Sequence, residues 1–318
     1  MFKKLILSAL ITALASSVSH GATTKTFAVD CGAKKGASIQ AVIDTLDKTA
    51  VNTIRVTGAC TGTLNIEGHR DLRILGSGGA SITAGAAADA TINIRDSRTR
   101  LSAISVSAAN LTFSGISCDD HSFCSLDDVS VRDATGDGIL IQQQSSANIA
   151  GSSAVTISGN GFSGIGVYGQ SSANVRPLVF DQLGLTVSGN GSFGITVLDG
   201  SFFRIENAAI TANRGGGVFG DRGAVLKLLG SSITNNVSDG VLVRNSTLQW
   251  TPQFGLGGVI SGNTGAGINL RSLSYATVTG TLSGNGGAFP NGIECKPGAA
   301  LRASAAIRSV SSTNCGVE

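Results

Sequence analysis

Along most of the chain, apolar residues stand two apart in short runs set off by small and polar residues. The runs are Leu64/Ile66, Leu72/Ile74, Ile92/Ile94, Ile104/Val106, Leu111/Phe113 and Val129/Val131, then Ile139/Ile141, Ile165/Val167, Ile195/Val197, Val241/Val243 and Ile268/Leu270. Residues two apart share one face of a strand, so each run predicts a short strand with one buried side. One stretch breaks the pattern. In Ser38–Leu46 the apolar residues Ile39, Val42, Ile43 and Leu46 follow helical spacing, and Ser38 suits the N-cap.

The runs belong to a repeat. A phrase ending in Asn recurs at Asn160, Asn190, Asn213, Asn236, Asn263, Asn285 and Asn314, at intervals of 22 to 30 residues. A few residues after each of the first six comes a Gly-apolar-x-apolar unit, such as Gly164-Ile-Gly-Val, Gly194-Ile-Thr-Val and Gly240-Val-Leu-Val, and Gly138-Ile-Leu-Ile opens the series. Aligned on the repeat, Ile139, Ile165, Ile195, Val218, Val241, Ile268 and Ile293 form one inward column. Ile141, Val167, Val197, Gly220, Val243, Leu270 and Cys295 form the next. Each period holds two further strand patterns, such as Val225–Leu228 and the run before the Asn, Leu185–Val187. Three short strands per turn, stacked on like neighbours, predict an all-β parallel solenoid. Asn tolerates the left-handed backbone of a tight turn, and stacked Asn amides can bond one another. A solenoid needs its apolar end covered, so the Ser38–Leu46 helix is expected as an N-terminal cap. No linker divides the chain, and residues 23–318 read as one domain.

Composition narrows the setting. The chain has 318 residues with 44 Gly and only 14% charged residues, against about 25% in an average domain. Lys3 and Lys4, the apolar run Leu5–Leu14 and the small residues up to Ala22 read as a signal peptide, 1–22, which implies a secreted or periplasmic protein. That run is too short to span a bilayer. Without Lys3 and Lys4, 21 basic residues face 20 acidic ones, which offers no overall attraction to nucleic acid or to an anionic membrane. An even count of six cysteines in an exported chain points to three disulfides; grouping along the chain favours Cys31–Cys60, Cys118–Cys124 and Cys295–Cys315 among 15 connectivities. No CxxC or paired Cys/His spacing suggests structural zinc.

With these features in view, the chain resembles the pectin-lyase-like superfamily of secreted right-handed parallel β-helix proteins. The likeness is carried by the Asn-terminated rungs, the Gly-Ile-x-Val units and the opening Val29-Asp-Cys31 … Val56-Thr-Gly-Ala-Cys60-Thr-Gly-Thr-Leu-Asn-Ile66. It covers nearly all of the mature chain and implies a right-handed parallel β-helix. That superfamily holds polysaccharide lyases, hydrolases, esterases and epimerases, and also adhesins, so fold alone does not choose an activity.

Several motifs carry no chemistry. Gly159–Gly164 and Gly189–Gly194 match GxGxxG, but a strand follows each where a dinucleotide site needs a helix. The Gly-His-Gly segment of the polygalacturonase family and a GxSxG elbow are both absent. Asp119, Asp120 and His121 share the loop between Cys118 and Cys124, where they suit a cation or an acid/base role, or are simply solvated.

The outward position after each Gly-Ile-x-Val unit is more informative. It reads Gln142, Tyr168, Leu198, Asp221, Arg244, Arg271 and Lys296, three successive cations after an acid. At a rung spacing of about 4.8 Å these cations suit one carboxylate per rung of an acidic sugar chain. The catalytic candidates are therefore Asp199, Asp221, Arg244 and Arg271, and the substrate-binding candidates are Arg222, Lys296, Glu294 and Tyr168. A β-elimination would use an Arg or Lys base, with calcium a candidate cofactor at Asp199 and Asp221. A glycoside hydrolysis would use the two carboxylates. The expectation is recognition of an acidic polysaccharide on this face. The alternative is a structural or adhesive solenoid with no active groove.

Overall fold

The computed structural model describes residues 24–32, 38–179, 182–253, 258–286, 292–303 and 315–317. The expected signal peptide and Asn314 lie outside these residues. The chain winds as a parallel β-solenoid in which each strand pairs with its counterpart one turn on. One side is a ten-stranded sheet running from Leu64–Glu67 to Ile293–Cys295. The remaining strands form a nineteen-stranded sheet that covers the rest of each turn. Early turns do so with one long strand. Arg98–Ser107 and Phe123–Arg132 each contain a left-handed residue, Ala103 and Asp128, both at φ 55°. Later turns use two strands: Ser146–Gly151 and Thr156–Ser158 both pair with Phe123–Arg132.

The two inward columns read from the sequence are in register along the ten-stranded sheet. Every member of the first, from Ile139 to Ile293, is fully buried. Facing them across the core are pairs such as Phe203/Ile205, Leu226/Leu228 and Leu248/Trp250 of the other sheet. Each such side chain contributes about 1.5–3 kcal/mol through burial, and each rung depends on its neighbours for that burial.

Two polar ladders run inside the turns. In the first, the side-chain Oδ1 of each Asn accepts both the Nδ2 and the backbone N–H of the Asn one turn earlier. The Nδ2 distances are 2.9 Å for Asn160 to Asn190, 2.9 Å for Asn190 to Asn213, 3.0 Å for Asn213 to Asn236, 2.9 Å for Asn236 to Asn263 and 2.8 Å for Asn263 to Asn285. The same Nδ2 groups also donate to strand carbonyls, as Asn236 does to Ile210 O at 3.2 Å. The repeated glycine makes room for this ladder: a Cβ on Gly194 would stand 2.8 Å from Asn213 Nδ2 and 2.9 Å from Gly217 O. The second ladder is serine. Backbone N–H groups of Ser97, Ser122, Ser145 and Ser171 donate to the hydroxyls of Ser122, Ser145, Ser171 and Ser201, at 3.0–3.2 Å.

Near the first rungs, the helix expected over Ser38–Leu46 is five residues long, Ile39–Ile43. Ser38 Oγ accepts from the Ala41 N–H at 3.2 Å. The Gln40 amide grips the backbone of the first strand of the ten-stranded sheet, accepting from Asn65 N at 2.7 Å and donating to Asn65 O at 3.2 Å. It thus satisfies backbone groups on an edge that would otherwise be open. The cysteines are bonded as Cys31–Cys60, Cys118–Cys124 and Cys295–Cys315, with Cα separations of 5.1, 6.4 and 5.1 Å. Among the described residues, no helix is long and apolar enough to cross a membrane.

Candidate functional site

The outer surface of the ten-stranded sheet carries the residues singled out above. Backbone bonds from Tyr168 to Ile141, Leu198 to Val167, Asp221 to Val197 and Lys296 to Leu270 keep the outward column in step from rung to rung. Arg244 and Arg271 are directly paired in register. The structure brings Asp199, Asp221, Arg222 and Arg244 together. Arg244 Nη2 donates to Asp221 Oδ2 at 2.8 Å, and the Arg222 N–H donates to Asp221 Oδ1 at 2.8 Å. Arg222 grips Asp199 through Nε at 2.5 Å and Nη2 at 3.2 Å, which raises the guanidinium pKa further. Both residues lie in the turn after the strands with left-handed backbone, φ 59° at Asp199 and 54° at Arg222. Lys296 pairs with Glu294 at 2.5 Å. Arg271 differs: its Nε donates to Asn269 Oδ1 at 3.3 Å, and it makes no ion pair among the described residues.

Repulsion along the cation column is therefore offset by acids on the same face; Arg271 feels the charge of Asp239 but is not in an ion pair with it. Arg244 also has a structural part. Asp221 is only 7% exposed, so truncating Arg244 would strand a buried carboxylate. Calcium needs several free oxygen ligands. Asp199 and Asp221 are both engaged by arginines and do not offer such a set. Among the described residues, no group of three or more His, Cys, Asp or Glu side chains is arranged to hold a metal. His121 sits in the bridged loop with Nδ1 3.2 Å from Asp120 Oδ1 and Nε2 3.0 Å from Gln144 Oε1.

Tyr168 belongs to a different feature, which sequence reasoning missed. Next to the ion pairs, on the same sheet face, lies an open groove of about 470 Å³. Its walls include Phe113, Phe162, Phe193, Phe219 and Tyr168. The whole chain has only 12 Phe, 2 Tyr and 1 Trp, so the gathering of five of these rings at one place is a concentration that the fold creates. Phe113 and Phe162 meet at 6.2 Å with tilted rings, and Phe193 and Phe219 stack at 5.1 Å. Arg244 lies over the Phe219 ring at 4.9 Å, which joins the groove to the cation column.

Polar groups converge on the groove as well. Asp137 immediately precedes the first repeat glycine, Gly138, and is only 5% exposed. Its Oδ2 accepts from Tyr168 Oη at 3.0 Å and its Oδ1 from Ser163 N at 2.8 Å. Ser163 and Thr196 hydroxyls are 2.7 Å apart. Burial pushes the Asp137 carboxyl above the ordinary carboxylate range, and its hydrogen bonds only partly offset this. Burial and the neighbouring Asp137 push the Tyr168 phenol up as well. Asp137 makes no ion pair among the described residues, so its charge is held at a cost to folding. Because its folded pKa is raised, it opposes stability increasingly as pH rises from the ordinary carboxylate value through the raised one. We therefore expect Asp137→Asn to raise stability at neutral pH by about 1 kcal/mol, with the gain fading on acidification. Denaturation midpoints at pH 4 and pH 7 check this; a loss of stability at pH 7 would show the carboxylate to be structurally required.

Comparison with known proteins bears on the fold. No family model matches the sequence, and no curated protein matches it. Among solved structures, the Azotobacter vinelandii mannuronan C-5 epimerase AlgE6 A-module superposes with a TM-score of 0.61 at 14% identity, covering 88% of this chain and 84% of that one. The AlgE4 A-module of the same organism gives 0.54 at 15%, covering 88% and 86%. Those modules are right-handed parallel β-helices. This chain shares their fold. The handedness expected from the superfamily resemblance thus agrees with these neighbours, and identities this low speak to fold and not to activity.

Proposed function

We propose that the protein binds an acidic polysaccharide along the outer face of the ten-stranded sheet. The observation that carries this reading is the continuity of an aromatic groove with a column of cations on one ladder of strands. Aromatic rings offer flat apolar surface to the C–H faces of sugar rings. Asp137, Ser163, Thr196 and Gln142 supply hydrogen-bond partners for hydroxyls. Further along the axis, Arg271 presents a guanidinium suited to a sugar carboxylate, flanked by Arg244 and Lys296. An elongated repeating ligand fits such a face better than a compact metabolite does. The structural neighbours are named for a polysaccharide-modifying activity, which agrees with this reading.

A catalytic role is favoured by one feature, the buried Asp137 hydrogen-bonded to Tyr168 inside the groove. A carboxyl with a raised pKa can exchange a proton with a bound sugar, while the Tyr168 phenol, held protonated, orients the carboxyl. Under the same reading, the exported chain works outside the cytoplasm, and the helix Ile39–Ile43 covers the N-terminal end of the core.

The test is a panel of polyuronates and neutral glycans. Binding would be read by calorimetry, and turnover by unsaturated-product absorbance, reducing ends and uronate configuration by NMR. Binding confined to polyuronates and weakened by salt is expected, because exposed charges are screened over about 8–10 Å. Turnover would add catalysis at the groove. No binding to any acidic glycan would leave the scaffold alternative.

A further inference from the structure

The nineteen-stranded sheet has an outer face of its own. In register along it, Arg100, Ser125, Asn148, Asn174 and Arg204 form one outward column. Ser102, Asp127, Ala150 and Arg176 form the next. Short side chains in the middle lie between long ones at the ends, and this leaves a trough of about 630 Å³. Ion pairs close both ends: Arg100 Nε to Asp127 Oδ2 at 2.8 Å, and Arg204 Nε to Glu206 Oε1 at 2.6 Å.

Two groups in the trough have no partner among the described residues. Arg176 is exposed and makes neither an ion pair nor a side-chain hydrogen bond. Asn174 Oδ1 is buried with no donor. A buried acceptor left unmet is costly, and a turn of the amide about its terminal torsion brings Oδ1 out to a ligand hydroxyl. The lining balances Arg100, Arg176 and Arg204 against Asp127, Asp128 and Glu206, and further cations flank it. Arg98 and Lys227, on the same sheet, lie over the rings of Phe123 and Phe202 at 5.1 and 5.7 Å rather than beside acids.

We propose that this trough is a second glycan site, which takes a carboxylate-bearing sugar residue. The Arg176 guanidinium meets the carboxylate, and Asn174 Oδ1 accepts from a ring hydroxyl. A hydroxylated carboxylate is the ligand class that satisfies both unmatched groups at once; an inorganic anion would satisfy only the first. The sugar's identity as a uronate rests on the reading of the ten-stranded sheet, but the trough is a separate place on a separate sheet. With one site on each sheet, a single molecule can hold two polysaccharide chains.

The experiment is calorimetry with oligomannuronate and oligogalacturonate of about six residues on the full chain and two variants, Arg176→Ala and Phe193→Ala. Circular dichroism would confirm folding of each. The parent is expected to bind two oligosaccharides. Arg176→Ala should weaken one site more than tenfold and reduce the stoichiometry to one, while Phe193→Ala should affect only the other. Asn174→Ala, tested in parallel, should weaken the same site as Arg176→Ala. A stoichiometry of one that Arg176→Ala leaves unchanged overturns the trough, as does failure of both probes to bind the parent. If Arg176→Ala removes binding and Phe193→Ala does not, the trough stands and the reading of the ten-stranded sheet falls.

Discussion

Replacing Asn236 by Ala is expected to cost about 3 kcal/mol of stability. Asn236 is fully buried and lies in the middle of its ladder. Its Oδ1 accepts Asn213 N and Nδ2, both at 3.0 Å, and its Nδ2 donates to Asn263 Oδ1 at 2.9 Å and Ile210 O at 3.2 Å. Alanine removes all four bonds and leaves their partners where water does not reach. The cost is that of stranded polar groups, which exceeds the net worth of the bonds themselves. Asn285→Ala should cost less, because its Nδ2 donates only to Ile260 O at 2.9 Å among the described residues. Asn236→Asp provides a sharper control. A carboxylate keeps the acceptor but faces Asn263 Oδ1 and Ile210 O with no proton to offer. That variant should be least stable at neutral pH and recover on acidification, as protonation restores one donor. Urea midpoints for the three variants decide the matter. A change within about 0.5 kcal/mol for Asn236→Ala would mean that the turns hold without the ladder.

How far these features were legible in the sequence depended on whether they repeat. The inward columns and the Asn ladder were visible because each rung needs the same residue type at the same place. An inward strand position must be apolar, and the turn selects Asn both for its backbone and for its amide. The serine ladder performs a similar task through Ser97, Ser122, Ser145, Ser171 and Ser201 but stayed hidden. Serine is common throughout this chain, and a hydroxyl accepting one backbone bond leaves no companion motif. The disulfides followed from local grouping and are bonded as grouped. The helix was shorter than its spacing suggested: Val42 and Leu46 kept the apolar rhythm, but hydrogen bonding at the end tightens to Thr45 N with Val42 O and Leu46 N with Ile43 O, three residues back.

The groove was unreadable for a different reason. Its rings occupy non-equivalent places: Phe113 and Phe162 precede the ten-stranded sheet in their turns, Phe193 begins its strand, and Phe219 sits within one. Only the stacking of neighbouring rungs brings them together. The cation column was visible, yet which acid takes which arginine was not, because Asp221 reaches Arg244 and Asp199 reaches Arg222 across one rung. The cations without an ion pair among the described residues include Arg271 on this face and, on the other sheet, Arg176, which no repeat had marked.

The largest functional effect is expected from Phe193→Ala combined with Phe219→Ala. The two rings stack 5.1 Å apart at 24° and form one wall of the groove, with Arg244 over the second ring. If each ring supplies about 1.5 kcal/mol of contact to a sugar, removing both should weaken polyuronate binding by about 100-fold. Stability should change far less, because both rings are half-buried and stand outside the core. Phe203→Ala gives the opposite result by the same logic. Phe203 is fully buried on the inward side of the nineteen-stranded sheet, so its loss should cost about 3–5 kcal/mol of folding and leave affinity intact in the fraction that folds. The same residue type would then separate the two roles, one read by calorimetry and one by denaturation. Should the double variant bind polyuronate as tightly as the parent, the sugar chain does not lie in this groove. The cation column would then have to hold its ligand through Arg271 alone, at an affinity that salt abolishes.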